Sequence, residues 1–232
     1  MHYLNSDLPK ILLPLCGKTL LEWQMNMLSV LPVNRIILAT HYKSIMIERN
    51  IKSYDGLHIY LSKSSRLLDT GGALKHVVEK YRPMSPITIV MNGDILCDVD
   101  LRKMFIKFVN SYECLMLTTY SNKASEYGST KILDNRIISF NEKAITIKTS
   151  HINGGIYLLS SSTLNYLPEK TVFSLEYDVF PYIDMLYSYK HPGMWHDIGT
   201  PSRYKGAIND LNKTLRIRRL TMRSSGQLAA AA

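Results

Sequence analysis

The stretch Ile87-Thr-Ile-Val-Met-Asn-Gly-Asp94 decides how we expect the chain to fold. Five apolar or β-branched residues follow Pro86 and end in an Asn-Gly-Asp turn. A short continuous apolar run between such signals is typical of a strand buried on both faces, as in the centre of a parallel sheet. Ligands of these sheets bind beyond the carboxyl ends of the strands, so Asp94 is predicted to lie in a ligand crevice. On this segment alone, the alternative is that Asn-Gly-Asp is no more than a turn.

Helices and strands are predicted to alternate on both sides of this stretch. Apolar residues at helical spacing and short apolar runs between polar segments define these elements. The predicted strands are 35–40, 57–61, 87–94, 113–120 and 155–160, and the predicted helices are 19–31, 44–52, 69–81, 100–110 and 174–185. Thr19 is expected to cap the first helix, and Pro201 is expected to begin the last one.

Residues 129–148 have a different pattern. Short alternating segments surround Asp134-Asn-Arg136, which predicts the turn of an antiparallel hairpin. The sequence therefore predicts an α/β fold, with a mostly parallel sheet flanked by helices and a smaller antiparallel β insertion. We expect one body over residues 1–210, made of the halves 1–120 and 121–210. Residues 211–232 are expected to form a basic, disordered tail.

The net charge of +9 over 232 residues raises the question of a nucleic-acid partner. Its distribution argues against one, because five basic residues and no acidic residue lie in 211–232, which leaves +4 for the rest. A mildly basic body suits an anionic small substrate as well as it suits a polynucleotide. We therefore do not expect a nucleic-acid partner.

The three cysteines and seven histidines form no recognisable metal-binding or disulfide pattern. Cys16, Cys97 and Cys114 are far apart and include no Cys-x-x-Cys pair, so reduced, buried thiols are expected. No apolar run approaches the roughly 20 residues of a membrane-spanning helix. The N-terminus also lacks a signal pattern. We expect a cytoplasmic protein without a membrane partner.

Three short motifs suggest chemistry. Cys16-Gly-Lys-Thr19 resembles the end of a phosphate-binding loop, but Leu12 stands where that loop needs Gly. Thr70-Gly-Gly72 at a predicted helix start offers backbone amides to an anion or a base edge, although a plain tight turn is an equal alternative. Asp94 ends the strand predicted over 87–94, and Asp197 lies in Trp195-His-Asp-Ile-Gly199, where a further strand is predicted to end. Together the two aspartates would bind Mg²⁺ with phosphate oxygens and water. Either aspartate alone is more often structural.

From about residue 7 to residue 207 the chain resembles the sugar-1-phosphate nucleotidylyltransferases, enzymes that make nucleoside-diphosphate sugars. The order of several short motifs, rather than any one of them, carries this resemblance. They are Leu8-Pro-Lys-Ile-Leu-Leu-Pro14, Gly17-Lys-Thr-Leu-Leu-Glu22, Asp69-Thr-Gly-Gly-Ala-Leu74, Asn92-Gly-Asp94, Phe140-Asn-Glu-Lys143, Asn153-Gly-Gly-Ile-Tyr157, Phe173-Ser-Leu-Glu176 and Asp197-Ile-Gly-Thr-Pro201. The segment from Thr70 to Lys75 looks like that of the mannose- or heptose-1-phosphate guanylyltransferase branch.

The resemblance implies a Rossmann-like fold, a nucleoside triphosphate and a sugar 1-phosphate as substrates, and Mg²⁺ as cofactor. It is also compatible with a homo-oligomer. Residues 1–120 would bind the nucleotide, and residues 121–210 would bind the sugar phosphate. The implied catalytic residues are Lys10, Asp94 and Asp197, with Asp94 and Asp197 as metal ligands. The implied nucleotide-binding residues are Thr70, Gly71, Gly72, Ala73, Asn92 and Gly93. The implied sugar-phosphate-binding residues are Glu142, Lys143, Asn153, Gly154, Gly155 and Glu176.

One part of the family pattern is missing from the sequence. The family begins with a strand, central in its sheet, and a Gly-Gly-x-Gly-Thr-Arg loop upstream of Pro-Lys, and neither occurs in residues 1–232. We therefore expect an N-terminally truncated chain, either because its start lies further upstream or because it is a degenerate product. The alternative to the enzyme is a truncated, non-catalytic homologue that binds a nucleotide sugar or a partner protein.

Overall fold

The structure, a computed structural model, describes residues 8–51, 57–82, 85–127, 129–141 and 149–229. Side chains are described for these residues except Ser111, Asn141 and those of 217–229. The strands are β1 (Pro14–Leu15), β2 (Lys18–Thr19), β3 (Arg35–Thr40), β4 (His58–Lys63), β5 (Ile87–Met91), β6 (Ile95–Cys97), β7 (Cys114–Ser121), β8 (Ser129–Leu133), β9 (Arg136–Asn141), β10 (Ser150–Ser160), β11 (Leu186–His191) and β12 (Trp195–Asp197).

The helices alternate with these strands through the first half of the chain. They are α1 (Leu20–Leu28), α2 (Ser44–Asn50), α3 (Asp69–Tyr81), α4 (Leu101–Ser111), α5 (Leu175–Asp178) and α6 (Pro201–Ala229). Short 3-10 helices cover Lys10–Leu12, Ala124–Glu126, Thr163–Tyr166 and Phe180–Tyr182. Within the described part of the chain, no helix combines the length and the apolar character needed to cross a membrane.

Local sequence signals explain where several elements begin. The Thr19 hydroxyl accepts a hydrogen bond from Glu22 N at 3.2 Å, and the Glu22 carboxylate accepts one from Thr19 N at 2.7 Å, which confirms the predicted cap of α1. The predicted start of α6 at Pro201 is also confirmed. Between β8 and β9, Asp134 and Asn135 have φ angles of 48° and 63°, which is the left-handed backbone of a tight hairpin turn.

The main sheet has six strands in the order β5-β10-β7-β11-β9-β8, and β10 also pairs with β8. β3 with β4 and β6 with β12 form separate two-stranded sheets. The predicted α/β fold is confirmed, but the main sheet is mixed rather than mostly parallel. Among the described residues, β3 runs parallel to β4 and β7 runs parallel to β11, whereas β10 is antiparallel to each of its neighbours.

The core lies on both faces of β7 and β10. Leu115 and Leu158 belong to a cluster that packs against Met104 and Phe108 of α4. The residues directly before and after Leu115 and Leu158 in the sequence face the opposite side of the sheet, where they pack around Phe180 and Phe173. This alternation is the period of two that a strand imposes, and here both sets of side chains are buried. The strands can therefore be apolar throughout without exposing a face to water.

β5 is an edge strand of the hydrogen-bonded sheet, whereas the sequence predicted a central, buried one. All five of its residues are half-buried, and its described partner is β10. Asn92 N donates to Gly155 O at 2.8 Å, so the alternation of an antiparallel pair directs the backbone groups of Thr88 and Val90 towards β10. The backbone groups of Ile89 and Met91 point the other way, where no partner lies among the described residues.

Two further predictions were wrong in their boundaries. The helix expected over 174–185 is divided, with α5 ending at Asp178 and a 3-10 turn following at Phe180–Tyr182. Pro181 explains the division, because proline has no backbone N–H for a continuous helix.

The tail expected to be disordered from residue 211 is instead the continuation of α6, in which Leu211 is buried at 3% exposure and packs with Leu13 and Ala207. The division of residues 1–210 into two halves stays a prediction.

The alternation along β5 predicts a matching alternation in amide hydrogen exchange. The amides of Ile89 and Met91 should exchange faster than those of Thr88 and Val90, because only the latter pair donates to β10. Exchange measured residue by residue by NMR tests this expectation. Equal protection of all four amides would show that a further strand pairs with this edge.

Candidate functional site

Asp94 and Asp197 lie side by side at the end of neighbouring strands. β6 and β12 pair with Ile95 opposite Asp197, and Ile198 N donates to Asp94 O at 3.0 Å. This register carries the two carboxylates, which are 103 positions apart in the sequence, to the same cavity. The cavity has a volume of about 320 Å³. A pair of neighbouring carboxylates at a strand end is suited to bind a hard cation.

Seven of the fifteen predicted site residues line this cavity. Those that line it are Thr70, Asn92, Asp94, Asn153, Gly155, Glu176 and Asp197. Lys10 lies beside it, and its Nζ is 3.2 Å from Asp94 Oδ2. Gly71, Gly72, Ala73, Gly93 and Gly154 are not among the residues that line it. Glu142 and Lys143 lie outside the described residues, so the structure gives no position for either side chain.

The turn that carries Asp94 is fixed by a side chain that sequence reasoning missed. Gln24 is 6% exposed, and its Nε2 donates to Asn92 O at 3.0 Å and to Ile95 O at 2.9 Å. One amide group therefore joins the two ends of the Asn-Gly-Asp turn to α1. The signal was present in the sequence, because Gln24 stands on the apolar face of α1 beside Leu21 and Met25.

A second polar network joins α3, α5 and β10 across the cavity. The Glu176 carboxylate accepts hydrogen bonds from Thr70 Oγ1 at 2.7 Å, Tyr157 OH at 2.9 Å and Ser174 Oγ at 2.6 Å. Asn153 Nδ2 donates to Tyr157 OH at 2.7 Å. A carboxylate with three donors is held in one orientation, and a buried network of this kind stays rigid only while every member has a partner.

Tyr157 is the buried centre of this network. It is fully buried, and burial together with the nearby charge of Glu176 raises the pKa of Tyr157 well above its usual value. The tyrosine therefore keeps its proton at any pH near neutrality and stays a donor to Glu176. It links the residue predicted to bind the nucleotide, Thr70, to the residue predicted to bind the sugar, Asn153.

Gly71 and Gly72 have a packing function in the structure, which corrects the expectation that their amides are free for a ligand. Both amides donate to Phe173 O, at 2.9 and 3.1 Å. A Cβ at Gly71 would overlap the Phe173 ring, and a Cβ at Gly72 would overlap the Thr171 carbonyl. The glycines let the start of α3 approach the 171–173 segment, and this approach places Thr70 beside Glu176.

A second glycine pair shapes the opposite wall. Gly155 has a φ of 71°, and a Cβ there would lie 2.8 Å from Asn92 Nδ2. At Gly154, the carbonyl oxygen accepts a hydrogen bond from Trp195 Nε1 at 2.9 Å. These contacts connect β10 to the Asp94 turn on one side and to β12 on the other. Trp195 and Tyr127, which also line the cavity, are further residues that sequence reasoning missed.

The residues present fit a divalent cation that also binds phosphate. Among the described residues, no group of three or more His, Cys, Asp or Glu side chains could hold a metal ion by itself. Two carboxylates supply a third of an octahedral shell, so the remaining ligands would have to come from substrate phosphates and water. This is the usual arrangement for Mg²⁺ at a nucleotide site, where the protein offers one or two carboxylates.

The fold and the site define a class of protein, and comparison with known families agrees with it. The family model described as nucleotidyl transferase matches residues 2–214. The chain belongs to this family, which confirms the resemblance to the sugar-1-phosphate nucleotidylyltransferases and makes the protein a nucleotidyltransferase.

The proteins similar to this chain include guanylyltransferases. The chain is 32% identical over 211 residues to the D-glycero-alpha-D-manno-heptose 1-phosphate guanylyltransferase of Aneurinibacillus thermoaerophilus, covering 89% of this chain and 90% of that protein. It is 29% identical to the mannose-1-phosphate guanylyltransferase catalytic subunit beta of Xenopus tropicalis, covering 87% of this chain but 58% of the longer protein.

Two solved structures share the fold of this chain. HddC from Yersinia pseudotuberculosis, in a crystal structure complexed with GMP-PN, has a TM-score of 0.75 and 28% identity, covering 89% of this chain and 91% of that one. A putative glucose-1-phosphate thymidylyltransferase from Bacillus anthracis has a TM-score of 0.76 at 19% identity, covering 90% of this chain and 89% of that one, which shows the shared fold.

Removing the Tyr157 hydroxyl should destabilise the fold. Tyr157→Phe leaves the Asn153 amide and one Glu176 oxygen without their buried partner, so the free energy of unfolding should fall by about 1–3 kcal/mol. Urea denaturation measures the change. Tyr166→Phe is the matched control, because Tyr166 is 51% exposed. Equal stability of both variants would mean that the network contributes nothing.

The packing function of Gly71 can be tested in the same way. Gly71→Ala should lower the free energy of unfolding by about 1–3 kcal/mol, because the added methyl group meets the Phe173 ring. Gly93→Ala is the control, since its Cβ would have Ile11 as its nearest neighbour at 3.7 Å. If Gly71→Ala and Gly93→Ala have the same free energy of unfolding, the close approach of α3 to Phe173 is not required for stability.

Proposed function

We propose that the chain is a Mg²⁺-dependent guanylyltransferase that converts GTP and mannose 1-phosphate or heptose 1-phosphate to a GDP-sugar and pyrophosphate. The observation that carries the proposal is the arrangement of Asp94, Asp197, Thr70, Asn153 and Glu176 around one cavity. The guanine base and the two sugars are inferred from the names of the similar proteins.

Asp94 and Asp197 would hold the metal ion. When bound, Mg²⁺ supplies charge neutralisation for the phosphates of the nucleotide and holds them in place. The protein contributes the fixed carboxylates: Gln24 holds the turn before β6, and the Gly199 amide donates to Asp197 Oδ1. Metal ligands that are already held in position require little rearrangement when the substrate arrives.

Lys10 is the residue we assign to the phosphates. Its ion pair with Asp94 joins side chains that are 49% and 33% exposed, and an exposed pair of this kind is worth about 0–1 kcal/mol. The ammonium group can therefore leave Asp94 for a phosphate oxygen at little cost. Lys143 is proposed to act on the sugar phosphate, although it lies outside the described residues.

The two sides of the cavity are proposed to bind the two substrates. Thr70 at the start of α3 faces the nucleotide side, and Asn153, Gly155 and Glu176 face the sugar. The Glu176 oxygens and the Asn153 side chain have fixed orientations because of their mutual contacts with Tyr157. Fixed acceptors and donors of this kind distinguish the hydroxyl groups of a sugar.

The reaction requires mainly position and charge from the protein. An oxygen of the sugar phosphate attacks the α-phosphorus of GTP, the bond from that phosphorus to the bridging oxygen breaks, and pyrophosphate leaves. The attacking phosphate is already ionised, so no side chain has to remove a proton. Alignment of the two phosphates and neutralisation of their charge remain as the tasks of the site.

A second candidate function keeps the binding site without turnover. A non-catalytic relative would bind a GDP-sugar in the same cavity. Calorimetry with GDP-mannose separates the two candidates when it is combined with an assay of turnover.

Release of pyrophosphate tests the proposed function. The protein should release pyrophosphate from GTP only when mannose 1-phosphate or heptose 1-phosphate is present. Asp94→Asn should lower the rate by about 100-fold or more, since even residues that only orient a metal ligand contribute about 10–100-fold. A coupled pyrophosphate assay measures both rates.

Asp134→Asn is the matched control for this assay. It makes the same chemical change at an exposed hairpin turn, where asparagine also tolerates the positive φ. Its rate should equal that of the unaltered protein. Full activity of Asp94→Asn would contradict the assigned site, and GDP-mannose binding without any pyrophosphate release would favour the non-catalytic candidate.

A further inference from the structure

Arg203 is a charged residue at the site, and the sequence analysis assigned no function to it. It lies in the first turn of α6, where its backbone N donates to Thr200 Oγ1 at 3.3 Å. Thr200 thus caps the helix, and Pro201 begins it. The helix starts four residues after Asp197, so its first turn brings Arg203 back to the carboxylate.

The Arg203 guanidinium makes three contacts around the cavity. Its Nη1 donates to Asp197 Oδ2 at 2.9 Å, and its Nη2 donates to Glu126 Oε2 at 2.6 Å. Its Cζ lies 4.5 Å from the centroid of the Tyr127 ring. A planar guanidinium can bond two carboxylates and stack on a ring at once, which a lysine ammonium cannot do in the same geometry.

These contacts leave Asp197 with a single orientation. The Gly199 amide donates to Oδ1 and Arg203 donates to Oδ2, so each carboxylate oxygen has its own donor. Both side chains of the ion pair are partly buried, at 24% exposure for Arg203 and 20% for Asp197. The Lys10–Asp94 pair is more exposed and has a single contact, so the two aspartates are held very differently.

Arg203 also holds the wall of the cavity next to Asp197. The hydrogen bond from Arg203 lowers the pKa of Glu126 and keeps it charged. Tyr127, the next residue, contacts both the guanidinium and the Trp195 ring, and the two ring centroids are 5.3 Å apart at an interplanar angle of 82°. Tyr127 and Trp195 both line the cavity. One side chain thus orients a proposed metal ligand and fixes the adjoining wall.

We propose that Arg203 is a positioning residue, which orients Asp197 for the metal ion and anchors the Glu126–Tyr127 wall of the nucleotide-sugar cavity. This inference rests on the proposed function. Arg203 is not proposed to touch the substrates. Its effect should therefore appear in how strongly nucleotide binding depends on the metal ion, and a residue that only stabilises the fold would not change that dependence.

The test is the Mg²⁺ dependence of GDP binding, measured by calorimetry without turnover. Arg203→Lys keeps the positive charge and loses the fork that bonds Asp197 and Glu126 together. The Mg²⁺ concentration that gives half-maximal GDP binding should rise by about 10-fold, as expected for loss of a group that orients a metal ligand. Arg49→Lys, at an exposed site on α2, should leave it unchanged.

Glu126→Gln is a second variant that leaves the Arg203–Asp197 contact in place and weakens the other half of the anchor. It should raise the half-saturating Mg²⁺ concentration by less than Arg203→Lys does, and it decides the question if Arg203→Lys does not fold. Unchanged or tighter Mg²⁺ dependence in a folded variant would overturn the positioning role alone. If the unaltered protein does not bind GDP, the same titration is made with GDP-mannose, and binding of neither at any Mg²⁺ concentration overturns the proposed function and this inference together.

Discussion

The antiparallel pair of β6 and β12 is the constraint on which the site depends. In this short ladder Ile95 lies opposite Asp197. If the pairing shifted by one residue, the Asp197 side chain would point to the other face of the pair. The Ile198 amide and the two hydrogen bonds of Gln24 hold that register at the end where Asp94 emerges. Neutral backbone and amide contacts therefore bring the two aspartates to one cavity, and the charges of Lys10 and Arg203 offset the repulsion between their carboxylates.

The two sides of the cavity are built by different means. Close approach at Gly71 and Gly155 brings α3 and β10 to the cavity, and hydrogen bonds to Glu176 and Asn153 then fix the side chains that face it. Beside Asp197, the side chains are fixed by the charge of Arg203. A site assembled from separate segments in this way can vary in one wall without disturbing the other, which is how one fold accommodates different sugars and bases.

Much of the fold and part of the site could be predicted from the sequence. Thr19, Pro201 and Asp134-Asn135 are local signals, and local signals decided helix starts and a hairpin correctly. The edge position of β5 could not be predicted, because burial of a strand depends on its neighbours in space. For the same reason the contact of Arg203 with Glu126 and the packing of Gly71 against Phe173 required coordinates, since these partners lie 77 and about 100 positions away.

Asp94 and Asp197 are proposed to hold one divalent cation against a nucleotide in this cavity. The most direct measurement is a crystal structure of the protein grown with Mn²⁺ and GDP-mannose, with anomalous scattering used to locate the metal. We expect an anomalous peak within coordination distance of both carboxylates and of a phosphate oxygen, with Arg203 still bonded to Asp197. A peak that contacts neither aspartate, or a nucleotide bound outside the cavity, would contradict it.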